Sequence, residues 1–259
     1  MSDKRFTEIW YENAGTKLFA VEAGSGPAVV LLHGGLANHL SAQLHAPAGC
    51  RVITPDLRGS ARSIHADKLT WQQLADDVAA LVRHCGLQRA VIGGISFGTG
   101  VATATALRHP HIVEALVLLH PVYAGAEVGL TSAQQAAMNA MDAAGTRALT
   151  EGMEALFPLL DTLPEALRAR ARATFATYDP ASVAASTHFM ASAEQPFATA
   201  AELARVTAPT LLVPGIDPYH PREVAEVYAQ HLPHRIVREV EVEHLGSAIA
   251  DFIHARFAV

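Results

Sequence analysis

The sequence predicts an α/β protein: a mostly parallel sheet with helices on both faces, interrupted by a helical insertion. Three observations carry this. Five short, continuous apolar runs punctuate the chain, at Ala28–Leu32, Val52–Thr54, Ala90–Ile92, Ala115–Leu119 and Thr210–Val213. Uninterrupted runs of this length suit strands buried on both faces, as in a parallel sheet under helices. Segments of helical periodicity separate most of them, which is the pattern of right-handed crossovers. Half of the 259 residues are hydrophobic and 17% are charged, ample material for a buried core.

Element by element, residues 6–24 alternate loosely about the turn Asn13-Ala14-Gly15 and predict an antiparallel pair with one partly solvated face. Leu74, Val78, Leu81, Val82 and Cys85 fall at helical spacing, and Gly86 supplies the stop. Ala90–Ile92 is a strand, and the small residues from Val101 to Leu107 form a helix after it. Between about Gly125 and Ala204 the alternation fails. Four helices are expected there, over Thr131–Ala144, Thr150–Phe157, Pro164–Tyr178 and Pro180–Ala193, punctuated by Pro158, Pro164, Pro180 and Pro196. Strand character resumes at Thr210. A helix follows Pro221, with Val224, Val227, Tyr228 and Leu232 on one stripe. Ile236–Glu243 alternates valine with glutamate and predicts a strand near a sheet edge. Leu245, Ile249, Phe252, Ile253 and Phe257 line a last helix. The expected organisation is a core of residues 1–124 and 205–259 and an insertion of 125–204.

Composition narrows the function classes. A net charge of −6 gives no general attraction for nucleic acid or anionic lipid. No apolar run approaches the roughly 18 residues of a membrane span, and Met1–Phe6 lacks the apolar core of a signal peptide. Two cysteines, Cys50 and Cys85, exclude a disulfide framework and read as packing residues. The expected setting is the cytoplasm. Fourteen histidines raise the question of a metal, but His109/His111 and His231/His234 lie at no recognised ligand spacing with a carboxylate or cysteine, so no metal is expected.

The sharpest local signal is Gly94-Ile95-Ser96-Phe97-Gly98, between a strand and a small-residue helix. A strand that turns into a helix within about one residue strains the apex and points its side chain outward. Glycines two positions either side remove Cβ atoms that would collide. Ser96 then sits at a helix amino end, where N–H groups favour developing negative charge. A serine needs a base, and the base needs an orienting acid. Asp217 follows the Thr210–Val213 strand in the loop Pro214–Pro218 and is the acid candidate, ahead of Glu243 and Asp251. His244, at the junction of the last strand and last helix, is the base candidate. His220, His231 and His254 read as surface or helix residues. The turn His33-Gly34-Gly35-Leu36 ends an earlier buried strand and can bring backbone close to a substrate. The N–H of Gly35, or else Leu36, with that of Phe97 forms the expected oxyanion hole. His33 is expected to be structural, tying neighbouring loops.

With these residues in order, the chain resembles the α/β-hydrolase superfamily in its serine-nucleophile branch. The likeness rests on His33-Gly34-Gly35, Asp56-Leu57-Arg58-Gly59, Gly94–Gly98, Gly215-Ile216-Asp217 and His244, and covers about residues 6–120 and 205–259. The resemblance implies an eight-stranded, mostly parallel sheet, a variable helical cap over 125–204, no cofactor, and a small-molecule pocket between core and cap. Two departures stand out. Ser60-Ala61-Arg62-Ser63 replaces the Gly/His-x-Gly-x-Ser usual after Asp-Leu-Arg-Gly in relatives. Glu243 and Leu245 flank His244, where relatives often carry Gly and Phe.

The expected activity is cleavage of a small, largely apolar carboxylic ester or lactone through an acyl-enzyme. Alternatives are hydrolysis of a carbon–carbon bond in a dienone or diketone, or a ligand receptor on the same fold. The Met and Phe content of the insertion suits an apolar group. Leu36, His120 and Tyr123 are the substrate-contact candidates. The absence of Arg or Lys clusters beside the motifs argues against a polyanionic substrate. Oligomeric state does not follow from these residues.

Overall fold

The computed structural model describes residues 6–161 and 165–257. The strands are β1 (Thr7–Asn13), β2 (Thr16–Gly24), β3 (Ala28–Leu32), β4 (Arg51–Pro55), β5 (Ala90–Ile95), β6 (Val113–Leu119), β7 (Thr210–Val213) and β8 (Arg235–Val237). They form one eight-stranded sheet in the order β1-β2-β4-β3-β5-β6-β7-β8. β1 and β2 are antiparallel, β2 runs antiparallel to β4, and all later pairings are parallel.

The helices are α1 (His39–Gln43), α2 (Trp71–His84), α3 (Phe97–Arg108), α4 (Ser132–Glu151), α5 (Glu165–Phe175), α6 (Pro180–Ala191), α7 (Arg222–His231) and α8 (Leu245–Phe257). Successive residues of a strand face opposite sides, and the core divides accordingly. Val30, Leu32, Ile92, Leu116 and Leu118 pack with α2 and α3 on one face. Val29, Leu31, Val91, Val117 and Leu211 pack with α8 on the other.

The parallel strands place their carboxyl ends, and the loops that follow, on one edge of the sheet, where open α/β sheets build their sites. The loop after β4 is held by side chains. Asp56 accepts from the His39 N–H (2.8 Å) and the Arg62 N–H (3.1 Å). Ser63 Oγ donates to the Asp56 carbonyl (2.8 Å) and accepts from Phe19 N–H (2.9 Å). Ser60-Ala61-Arg62-Ser63 thereby closes a tight turn. Arg58 forms a buried two-pronged pair with Asp77 of α2 (2.6 and 2.8 Å), and its remaining donors reach Asn13 and Thr16 in the β1–β2 hairpin. The Asp-Leu-Arg-Gly motif is therefore architectural.

Several expected boundaries shift. The helix expected to stop at Ala144 continues through Gly145 to Glu151. Gly145 is a close-approach glycine: a Cβ there would lie 2.2 Å from Thr187 Oγ1 of α6. The expected edge strand Ile236–Glu243 is only Arg235–Val237. Its neighbour β7 offers a ladder only as far as Val213, so after Arg238 N–H donates to the Leu212 carbonyl (3.0 Å) no partner remains. Val242–His244 forms a single 3₁₀ turn instead, with Val242 exposed.

Between β6 and β7 lie α4, a 3₁₀ segment at Met153–Leu160, α5, α6 and a second 3₁₀ segment at Ala200–Arg205. The expected helix Thr150–Phe157 is thus divided between the end of α4 and the first 3₁₀ segment. The expected start at Pro164 lies outside the described residues. Phe189 of α6 packs on Trp71 at the start of α2 (centroids 5.1 Å apart), fixing the inserted helices to the core close to the β5–α3 turn.

Candidate active site

The β5–α3 turn has the geometry that its glycines require. Ser96 has φ +53° and ψ −118°, a conformation that disfavours an L-residue. A Cβ on Gly94 would lie 2.1 Å from the Gly98 carbonyl oxygen, and one on Gly98 would lie 2.7 Å from the carbonyls of Leu32 and His33. Neither site admits a side chain while the bend remains this sharp.

The imidazole that reaches Ser96 is His220, not His244. His220 Nε2 stands 2.8 Å from Ser96 Oγ. Its Nδ1 stands 2.9 and 3.0 Å from the two Asp217 carboxylate oxygens. With Nδ1–H donating to the carboxylate, Nε2 is the acceptor for the serine hydroxyl. Asp217 and His220 belong to one turn after β7. His220 N–H donates to the Asp217 carbonyl (3.1 Å), and the Tyr219 N–H donates to Asp217 Oδ1 (2.8 Å). Gly215 makes room, since a Cβ there would lie 2.2 Å from His220 Cβ. Burial acts to raise the Asp217 carboxyl, but the His220 hydrogen bond and charge and the two backbone N–H donors outweigh it. The group is held below the usual carboxylate range.

His244 ends the 3₁₀ turn before α8 and is exposed. Among the described residues no hydrogen bond joins its ring to Ser96 or Asp217. The sequence expectation rested on a strand ending beside His244, and that strand ends at Val237. His220, expected to be a surface or helix residue, is neither: α7 begins only at Arg222, and the ring is largely buried against Ser96. The overlooked signal is Asp217-Pro218-Tyr219-His220, an Asp that turns the chain and brings a His beside itself three residues later.

The turn after β3 lies against the serine. A Cβ on Gly34 would lie 3.3 Å from Ser96 Cβ, and one on Gly35 would lie 2.7 Å from Met190 Sδ of α6. His33 is buried and bridges two loops: Nδ1–H donates to the Gly34 carbonyl (2.7 Å), and Nε2 accepts from the Leu57 N–H (3.0 Å). Burial lowers its pKa. Because C=O and N–H of a trans peptide point oppositely, holding the Gly34 carbonyl also aims the Gly35 N–H. Phe97 is the first residue of α3, where an N–H has no intrahelical acceptor.

A cavity of about 690 Å³ opens over these groups. Ser96, Phe97, Gly35 and His220 lie on its wall, as do the expected contacts Leu36 and Tyr123. Leu36 holds φ +54°. Tyr123 is fully buried, and its Oη has no hydrogen-bond partner among the described residues. His120 is not on the cavity wall. It stands beside the base, ring centroid 6.0 Å from that of His220, with its pKa lowered by burial and then by His220. Cys50 and Cys85 are free thiols at the start of β4 and the end of α2. Among the described residues, no helix is long and apolar enough to cross a membrane.

A doubly covered, mostly parallel sheet with a serine at a strained β5–α3 bend defines the class. The comparisons agree: the sequence profile of the alpha/beta hydrolase fold matches residues 27–249, and the chain belongs to that family. A putative esterase/lipase of Haemophilus influenzae is 32% identical over 68 residues, 26% of this chain and 24% of that protein. The match thus spans about a quarter of that relative's length. Among solved structures, a thermophilic esterase from Thermogutta terrifontis superposes with a TM-score of 0.75 at 22% identity, covering 98% of each chain. An esterase from Exiguobacterium antarcticum gives a TM-score of 0.77 at 20% identity over 96% of this chain and 99% of that one. At such identities these neighbours establish fold alone.

Proposed function

We propose that the protein is a serine hydrolase that cleaves a largely apolar carboxylic ester or lactone through an acyl-enzyme. The observation that carries this reading is the continuous hydrogen-bonded row Asp217–His220–Ser96 at the wall of an apolar cavity. Ser96 Oγ attacks the ester carbonyl carbon as its proton passes to His220 Nε2. Asp217 holds the ring in the required tautomer and stabilises the imidazolium. The carbonyl oxygen gains negative charge and takes the N–H groups of Gly35 and Phe97, each contributing a few kcal/mol in such sites. Collapse breaks the C–O bond, and His220 returns its proton to the departing alkoxide. Water then adds to the acyl-enzyme, giving its proton to His220, and the acid is released as that proton returns to Ser96 Oγ.

The putative esterase/lipase relative supports this choice within the family. The test is hydrolysis of p-nitrophenyl butyrate beside a lactone and a dienone, with wild type and Ser96→Ala compared. Ser96-dependent ester or lactone turnover, with fluorophosphonate labelling lost in Ser96→Ala, is expected. Labelling that persists in Ser96→Ala moves the nucleophile elsewhere. Turnover of the dienone alone replaces ester cleavage with carbon–carbon cleavage.

A further inference from the structure

We propose that the cavity contains an anion subsite made by Arg170, and that the ester substrate carries a carboxylate distant from its scissile bond. The proposal rests on the serine hydrolase reading and names the substrate class for the same site. Leu167, Arg170, Ala171, Thr174 and Phe175 all line the cavity. Their spacing, i, i+3, i+4, i+7, i+8, is one stripe of α5. Arg170 thus sits within the helix face turned to the cavity. Of the other two arginines of α5, Arg168 pairs with Glu165 at 2.6 Å, and the Arg172 guanidinium lies 5.2 Å from the centroid of the Phe157 ring. Arg170 has no acidic partner among the described residues.

Ser96, Phe97 and Gly35 belong to the sheet edge, whereas Arg170 comes from α5 on the helical wall of the same cavity. The same lining includes apolar groups, Met138 and Met141 of α4 among them. Arg170 is the one residue among Arg, Lys, Asp and Glu in the described lining. An exposed guanidinium with no acidic partner among the described residues, on the α5 wall of a mostly apolar cavity, selects a ligand with an apolar middle and a negative end, because the planar fork matches a carboxylate. A volume of about 690 Å³ is in the range of small-ligand sites and leaves room for a medium-length chain. Half-esters of dicarboxylic acids have this form. The sequence hid the subsite, because Arg170 is far along the chain from every catalytic motif.

The test compares the mono-p-nitrophenyl ester of suberic acid with p-nitrophenyl octanoate, equal in chain length and differing in the terminal carboxylate. In wild type the anionic ester has the higher kcat/KM. Arg170→Gln lowers kcat/KM for the anionic ester about tenfold, as expected for loss of one partly solvated charged hydrogen bond, and changes the octanoate less than twofold. Arg170→Lys keeps part of the preference, and added salt erodes it in wild type. Equal effects of Arg170→Gln on both esters, or no effect on either, overturn the subsite while leaving the hydrolase reading intact. A readout without turnover separates the two failures: suberate should raise the melting temperature of Ser96→Ala and not of Ser96→Ala/Arg170→Gln. If wild type cleaves neither ester but this shift is present, the hydrolase reading fails and the subsite stands; absence of the shift overturns the subsite.

Discussion

His220 Nε2 lies 2.8 Å from Ser96 Oγ although 124 residues separate them. The contact is made by a turn that also carries Asp217, so acid and base enter the site on one short loop rather than on two. Moving the loop moves both, and the nucleophile keeps or loses its whole proton relay together.

This geometry separates two histidines that sequence position had ranked the other way. His220→Ala should lower kcat/KM for p-nitrophenyl butyrate by about three orders of magnitude or more, with an unchanged circular dichroism spectrum. His244→Ala, altering an exposed side chain before α8, should stay within a few-fold of wild type. Steady-state kinetics of the two variants decide it. A dead His244→Ala beside an active His220→Ala would restore the base to the end of the chain.

The strain at Ser96 should be measurable as stability. With φ +53° it occupies backbone space that glycine enters at little cost. Ser96→Gly should therefore be inactive yet more stable by about 1 kcal/mol, the relief of strain exceeding the extra entropy of an unfolded glycine. Ser96→Ala keeps the strain and should unfold near the wild-type urea midpoint. A Ser96→Gly midpoint below that of Ser96→Ala would mean that the bend is not strained.

What the sequence made legible follows from how local each signal is. The continuous runs in β3, β5 and β6 and the glycines around Ser96 are fixed by burial and by Cβ clashes within a few residues, so pattern alone finds them. Gly145 reads as a helix end, because only the approach of Thr187 from α6 explains it. Arg170 stayed hidden for a related reason: its neighbours in the chain say nothing of what it faces, which the packing of α5 settles. His220 did carry a local signal, the turn begun by Asp217, but its approach to Ser96 is a long-range contact. The reach of β8 was overestimated because valine–glutamate alternation marks a solvated strand but cannot supply the partner that ends at Val213.

Tyr123 offers a test of the cavity wall. Its ring packs edge-on against Trp71 (centroids 4.8 Å), while its Oη is buried without a partner among the described residues. An unsatisfied hydroxyl costs about 1–3 kcal/mol of desolvation, so removing it should not destabilise the free protein. Tyr123→Phe is expected to melt at or above the wild-type temperature. A loss of several degrees would mean that the hydroxyl is satisfied, for instance by bound water.

Acid should weaken the fold before any carboxylate titrates. Burial lowers the pKa of His33 and of His120 in the folded chain, while in the unfolded chain both return to about 6.5. Below that value the unfolded chain takes up protons that the folded one refuses, so stability falls as pH drops and levels off only below the folded pKa values. Above about 6.5 both states are neutral at these rings, and their contribution is constant. Asp217, held below the usual carboxylate range, stays ionised throughout this interval and adds no slope. The melting temperature should accordingly decline from pH 7 to pH 5. His33→Gln, whose amide can still accept from the Leu57 N–H but does not titrate, should show a shallower decline. Superimposable pH profiles for the two proteins would remove His33 from the account, and a wild-type profile flat between pH 5 and 7 would remove both histidines.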